Sequence, residues 1–202
     1  MQGESRTVGL PTVFVRLTGC PLRCQYCDSE YAFFGGERMA LDEILAKVAS
    51  YKPRHICVTG GEPLAQKPCL GLLTALCDAG YEVSIETSGA MPLTGIDERV
   101  VVVMDLKTPG SKEAGRNIYR NISLLGKKDQ IKFVVCDRAD YEWARFKISE
   151  YNLLEQVGDV LVSPSFGQVD ATDLANWIVE DNLQVRFQLQ LHKLLWGDEP
   201  GY

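Results

Sequence analysis

The chain has 202 residues, enough for a sizeable core, and its 46% apolar and 24% charged residues are the balance of an ordinary globular protein. Its formal net charge of -6 and pI near 5.0 give no overall attraction to nucleic acid or to an anionic membrane surface, which favours a small-molecule partner. No apolar run approaches the roughly 20 residues that span a bilayer, and residues 1–6 lack the charged-then-apolar pattern of a signal peptide, so the sequence reads as cytoplasmic.

The first apolar run, residues 12–17, is β-branched and aromatic, lies between Pro11 and Gly19, and predicts a strand. A loop carrying Cys20, Cys24 and Cys27 follows it. Leu41, Ile44, Leu45 and Val48 recur at helical spacing and predict a helix over 41–50. Residues 55–59 form a short apolar strand ending in Gly60-Gly61-Glu62-Pro63. Cys69, Leu72, Leu73, Leu76 and Cys77 trace one helical face that Gly80 stops. Residues 82–86 read as the next strand, closed by Thr87-Ser88-Gly89, and the continuous apolar run 100–106 reads as a strand buried on both faces.

Residues 109–128 are polar and glycine-containing, with room for one short helix. Residues 130–135 predict a strand, Tyr141, Ala144, Ile148 and Tyr151 a helix, residues 159–162 a strand ending at Ser163-Pro164, and Leu174, Trp177 and Ile178 a last helix. Residues 184–192 give the clearest strand signal of all. There Val185, Phe187, Leu189 and Leu191 alternate with Arg186, Gln188, Gln190 and His192.

Strands separated by helices imply parallel βαβ units. About six such units after the cysteine loop are too few for an eight-fold barrel. The expected fold is α/β, an incomplete TIM-like barrel with an N-terminal cluster-binding loop. With no internal repeat, low-complexity tract or linker, residues 1–202 read as one domain. The polar motifs all fall at C-terminal ends of predicted strands, the edge where parallel α/β folds place their chemistry.

Seven cysteines is an odd number, and three of them crowd into residues 20–27. In a reducing compartment such crowding suggests metal or redox chemistry more than disulfides. Thiolates are soft ligands suited to iron-sulfur clusters and to zinc. A 4Fe-4S cubane with three cysteine ligands keeps one iron open, as a catalytic site requires. A structural zinc needs a fourth ligand, for which His55, Cys57, Cys69, Cys77 and Cys136 are the candidates. Cys57, Cys77 and Cys136 sit in or beside apolar runs, where a free cysteine behaves as a small hydrophobe. Spacing alone leaves both metals open.

The pattern Cys20-x3-Cys24-x2-Cys27, with Tyr26 just before the third cysteine, resembles the signature of the radical S-adenosylmethionine superfamily. Gly60-Gly61-Glu62-Pro63 resembles its second motif, whose backbone holds the methionyl amino group. Further matches run nearly end to end: Gln2-Gly3-Glu4-Ser5, residues 14–20, Cys24 to Ser29, Thr59 to Pro63, Glu86-Thr87-Ser88-Gly89, Asp105-Leu106-Lys107, Gln190-Leu191-His192-Lys193 and Trp196-Gly197. Together they resemble one short branch, the 7-carboxy-7-deazaguanine synthase family. Its members carry a further strand ahead of the Gln-Gly-Glu motif, and some have Ser-Pro-Lys where this chain has Asp105-Leu106-Lys107.

That resemblance implies contraction of 6-carboxy-5,6,7,8-tetrahydropterin to 7-carboxy-7-deazaguanine with loss of ammonia, in queuosine and deazapurine biosynthesis. The cofactors implied are a 4Fe-4S cluster, S-adenosylmethionine and Mg2+. It implies Cys20, Cys24 and Cys27 as iron ligands and Ser29 as the Mg2+ ligand. Tyr26, Cys27, Asp28, Gly61, Glu62, Ser88, Lys107, Ser163, Pro164, Ser165 and Phe166 fall in stretches that contact S-adenosylmethionine. Met1, Gln2, Gly3, Glu4, Arg16, Thr59 and His192 match positions around the pterin, Arg16 suiting a substrate carboxylate. An external electron donor of flavodoxin or ferredoxin type and a homodimer are also implied. Two other readings compete: a glycyl-radical activating enzyme with the same cluster, and a non-catalytic module stabilised by zinc.

Overall fold

The computed structural model describes residues 1–197. Seven parallel strands form one sheet in the order of the chain: β1 (Thr12–Leu17), β2 (His55–Gly60), β3 (Glu82–Thr87), β4 (Val101–Asp105), β5 (Gln130–Val135), β6 (Asp159–Pro164) and β7 (Arg186–Phe187). That order is what successive right-handed crossovers give when a sheet curls about one axis. β1 and β7 end the sheet without pairing, so the barrel is open, as the count of units predicts.

Helices α1 (Leu41–Ser50), α2 (Cys69–Asp78), α3 (Arg138–Glu150), α4 (Leu153–Gln156), α5 (Ala171–Glu180) and α6 (Leu191–Trp196) complete the fold. Among the described residues none is long and apolar enough to cross a membrane. The β3–β4 connection carries no helix. The β4–β5 connection holds three short 3-10 turns, at Pro109–Ser111, Ala114–Arg116 and Tyr119–Leu124, rather than one helix. Pro109, Gly110, Gly115 and Gly126 interrupt any longer run. Buried side chains hold these connections instead. Asn121 accepts from Leu93 N at 3.3 Å and donates to Met91 O at 2.9 Å, and Asp129 accepts from Val102 N at 2.8 Å.

The two faces of the sheet differ. Outward-pointing Ile56, Val58, Ile85, Met104, Ile131, Phe133 and Val162 are buried under the helices in one continuous core. Inward-pointing residues are largely polar. The strand registers set Arg16 beside Thr59, Glu86 beside Val103, and Asp105 beside Lys132 around the interior.

The last predicted strand needs correction. Of residues 184–192 only Arg186–Phe187 is strand, and Leu191 begins α6. Gln188 turns its side chain onto the N-terminal segment, accepting from Ser5 N at 2.7 Å and donating to Ser5 O at 2.8 Å, while Leu191 N donates to Gly3 O at 3.0 Å. Residues 2–5 thus run along the open side of the barrel beside β7, and a polar side chain satisfies backbone groups there. Gln190 and His192 therefore do not lie on a strand. They flank the start of a helix.

Candidate active site

A cavity of about 670 Å³ opens at the C-terminal ends of the strands. Cys20, Cys24 and Cys27, all half-buried, line one wall. Their loop is short and heavily tied. Cys27 N bonds Cys24 O at 3.1 Å, Gln25 N bonds Ser111 O at 3.2 Å, and the Arg23 guanidinium donates to Cys20 O at 2.8 Å. Leu22, between the first two cysteines, is 1% exposed and anchors the loop. Burial raises the pKa of Cys20 and Cys27 and pushes Cys24 up to about 11, so all three are thiols until a metal displaces the protons.

None of the five candidates that the sequence offers as a fourth zinc ligand lines this cavity. Cys57, Cys69 and Cys77 are buried elsewhere, Cys136 is buried behind the cysteine loop with its sulfur 3.8 Å from Gln25 Nε2, and His55 Nδ1 sits 3.1 Å from Glu82 at the opposite end of β2. Among the described residues, no three or more His, Cys, Asp or Glu side chains gather around one ion. A cluster does not ask for that, because each thiolate binds a different iron.

The second motif lies directly against the cysteine loop. Gly61 N donates to Leu17 O at 3.1 Å and Glu62 N to Gly19 O at 2.8 Å. A Cβ on Gly61 would collide with Gly19 O, and Gly60 has φ +146°, so the approach requires both glycines. Gly61 lines the cavity, but Glu62 does not. Its carboxylate is completely buried, accepting from Thr87 Oγ1 at 2.9 Å, Ser88 N at 2.7 Å, the Ser88 hydroxyl and Leu64 N at 3.0 Å. Glu62 locks the motif to the end of β3.

The N-terminal segment and the inward side chains make the floor. Met1, Gln2, Gly3, Glu4, Arg16, Thr59 and His192 all line it. Gln2 Nε2 donates to Glu86 Oε1 at 3.0 Å, Thr59 Oγ1 approaches Glu86 Oε2 at 3.4 Å, and Lys132 Nζ pairs with Glu4 Oε1 at 2.7 Å. A side chain at Gly3 would strike His192 Nδ1. The Arg16 guanidinium stands 5.5 Å from the centre of the Tyr31 ring. Ser29 Oγ donates to Asp28 Oδ1 at 2.8 Å and Gln190 Nε2 to Asp28 Oδ2 at 3.1 Å. Burial works to raise the Asp28 pKa, but the Ser29 hydrogen bond and the charges of Lys132 and Lys193 hold it below its ordinary value.

Residues 14–111 match the radical SAM superfamily. Proteins named 7-carboxy-7-deazaguanine synthase are 45% identical in Koribacter versatilis, over 98% of this chain and 94% of that protein, and 41% identical in Chlorobaculum tepidum, over 98% and 91%. The chain belongs to the 7-carboxy-7-deazaguanine synthase family. Its fold also matches Streptococcus suis SuiB bound to S-adenosylmethionine, with TM-score 0.62 and 18% identity over 88% of this chain. The chain spans about half of SuiB, 46% of its length.

Members of the 7-carboxy-7-deazaguanine synthase family are radical SAM proteins, and the cavity fits their cofactors. Among the described residues, the buried side-chain atoms without a hydrogen-bond partner are Tyr26 OH, Asp105 Oδ1, Ser163 Oγ and Ser165 Oγ. All four belong to the cysteine loop or to the C-terminal ends of β4 and β6. Each orphan costs about 1–3 kcal/mol, which a polar ligand beside the thiols would relieve at Tyr26, Asp105 and Ser165, the three that line the cavity. Lys107 joins this wall, pairing with Asp105 at 2.7 Å and lying 5.7 Å from the centre of the Tyr26 ring. Burial opposes its charge, yet Asp105, Tyr26 and Cys24 hold its pKa well above the ordinary value. Ser88, Ser165 and Phe166 also line the cavity, whereas Ser163 and Pro164 stand behind it.

Lys132 lines the cavity but was not singled out from sequence, and Glu86 and Asp105, which line it too, stood in matched motifs without an assigned role. The signal was present: Asp105 ends an otherwise apolar strand, and Lys132 stands between apolar Ile131 and Phe133. Burial and the neighbouring Glu4 raise the Glu86 pKa, against the charge of Lys132 and the Gln2 hydrogen bond.

Proposed function

We propose that the chain converts 6-carboxy-5,6,7,8-tetrahydropterin to 7-carboxy-7-deazaguanine with loss of ammonia, as a 7-carboxy-7-deazaguanine synthase. The observation that carries this reading is one chamber with three thiols on its wall and the Gln2-Gly3-Glu4 segment on its floor. An enclosed floor of that kind suits a small molecule better than a protein backbone, which favours a synthase over a glycyl-radical activating enzyme. When bound, the cluster and S-adenosylmethionine supply a 5'-deoxyadenosyl radical that takes a hydrogen atom from C6 of the pterin.

The chain's own residues bind, orient and exclude water. Cys20, Cys24 and Cys27 hold the cluster. The backbone at Gly61, with Tyr26, Asp28, Ser88, Lys107, Ser165 and Phe166, surrounds S-adenosylmethionine, Ser163 and Pro164 back that wall, and Glu62 fixes it through Thr87 and Ser88. Arg16 receives the substrate carboxylate, for which its forked donors are suited. Ser29 offers a hard oxygen to Mg2+, which takes few protein ligands beside substrate oxygens and water. Met1, Gln2, Gly3, Glu4, Thr59 and His192 enclose the ring. In this reading the whole chain is one radical SAM core, acts as a homodimer, and draws its electron from a flavodoxin or ferredoxin.

Anaerobically reconstituted protein, incubated with the carboxytetrahydropterin, S-adenosylmethionine, a reductant and Mg2+, tests the proposal. Mass spectrometry should find 7-carboxy-7-deazaguanine, and a fully reconstituted cluster that makes no deazapurine would overturn it.

A further inference from the structure

On β5, Ile131 and Phe133 point into the helical core, and Lys132 between them points into the cavity. Its side chain is 13% exposed. Burying an ammonium is costly unless it is paired, and the Glu4 carboxylate 2.7 Å away supplies the pair. An ammonium has three donors, and this contact engages one of them.

Glu86 lies near it on the same floor. It projects from β3 as Lys132 projects from β5, with the smaller Val103 of β4 beside Glu86 in register. In a barrel, side chains from alternate strands fill one layer. That layer therefore offers a carboxylate acceptor and an ammonium donor together. A lactam edge, a ring N–H next to a ring carbonyl, is the complementary pattern. Both a pterin and a 7-deazaguanine carry such an edge on the pyrimidine ring.

We infer that Lys132 donates a hydrogen bond to the ring carbonyl of the bound aminopyrimidinone and makes the site select that carbonyl. The inference rests on the synthase reading above. Loss of a hydrogen bond from a charged donor lowers affinity by roughly tenfold or more.

The test compares anaerobic equilibrium binding of 7-carboxy-7-deazaguanine and its 6-thioxo analogue to the reconstituted holoenzyme. The analogue keeps the ring N–H and replaces the carbonyl oxygen with sulfur, a weak acceptor. The native protein should prefer the oxo ligand by roughly tenfold. Lys132→Met should bring the ratio close to one without altering S-adenosylmethionine binding, while Lys132→Arg should keep the preference. A merely structural lysine would weaken both ligands alike, so an unchanged ratio in Lys132→Met overturns the inference. Should that variant fail to fold because Glu4 is left unpaired, Glu4→Gln with Lys132→Met removes both charges and is read by the same ratio. Native protein that makes the product, with a ratio indifferent to Lys132, would sink this inference alone. Native protein that neither makes nor binds the product would sink the synthase reading and the inference with it.

Discussion

Ile131, Phe133 and Val135 on β5 are completely buried beneath the helices, whereas Lys132 and Val134, one residue out of step, face the cavity. The same contrast holds on β4 between Met104 and Asp105, and on β3 between Ile85 and Glu86. A strand's two-residue period lets adjacent positions answer to different demands. The outer face needs apolar volume that fits, as where Phe133 meets Trp143 of α3 at 6.3 Å between ring centres. The inner face carries polar atoms that the protein alone does not satisfy, Asp105 Oδ1 among them. Stability should follow the first set and ligand chemistry the second.

Substitutions on the two faces should therefore separate. Cys24→Ala, on the inner wall, should abolish cluster content and turnover while leaving the thermal midpoint of the cluster-free protein nearly unchanged. Iron and sulfide analysis with circular dichroism checks this, and a variant that kept either cluster or turnover would break the distinction. Phe133→Ala, on the outer face, should cost about 3–5 kcal/mol in denaturant unfolding, because it leaves a cavity in a close-packed core. Arg16→Ala should raise KM for the carboxytetrahydropterin by roughly tenfold or more through loss of a charged contact, with S-adenosylmethionine affinity unchanged. Equal losses for both ligands would instead mean that Arg16 only supports the fold.

The smallest effect concerns pH. Burial and Glu4 raise the Glu86 pKa in the folded chain above its ordinary value of 4.5. The folded state then holds this proton more tightly than the unfolded chain, so its share of stability is full below that value and is lost as pH rises through the folded pKa. Glu86→Gln should flatten the decline of the unfolding midpoint with rising pH just above 4.5. An unaltered slope would show that Glu86 ionises as it does in the unfolded chain.

How much of this was legible in the sequence depended on range. The cysteine spacing and Gly60-Gly61-Glu62-Pro63 are local, and the parallel sheet followed from apolar runs punctuated by turns. Residues 184–192 misled because alternation also describes an extended segment whose polar side chains meet another part of the chain. Gln188 finds its partner in Ser5, 183 residues away, and no window on the sequence contains both. Separations of 84 and 128 residues likewise hid the contacts of the floor, where Gln2 meets Glu86 and Glu4 meets Lys132. Glu62 shows the converse. The motif marked the right loop, but its carboxylate serves the end of β3 and leaves contact with the cavity to the glycine before it.

The central claim is that Cys20, Cys24 and Cys27 hold a cubane with one iron open to S-adenosylmethionine. Electron paramagnetic resonance of the anaerobically reduced protein, recorded with and without S-adenosylmethionine, tests it most directly. A 4Fe-4S signal that changes when S-adenosylmethionine is added, and is missing from Cys24→Ala, is the predicted result. A reconstituted protein with no such signal, or one whose signal is indifferent to S-adenosylmethionine, would contradict the account.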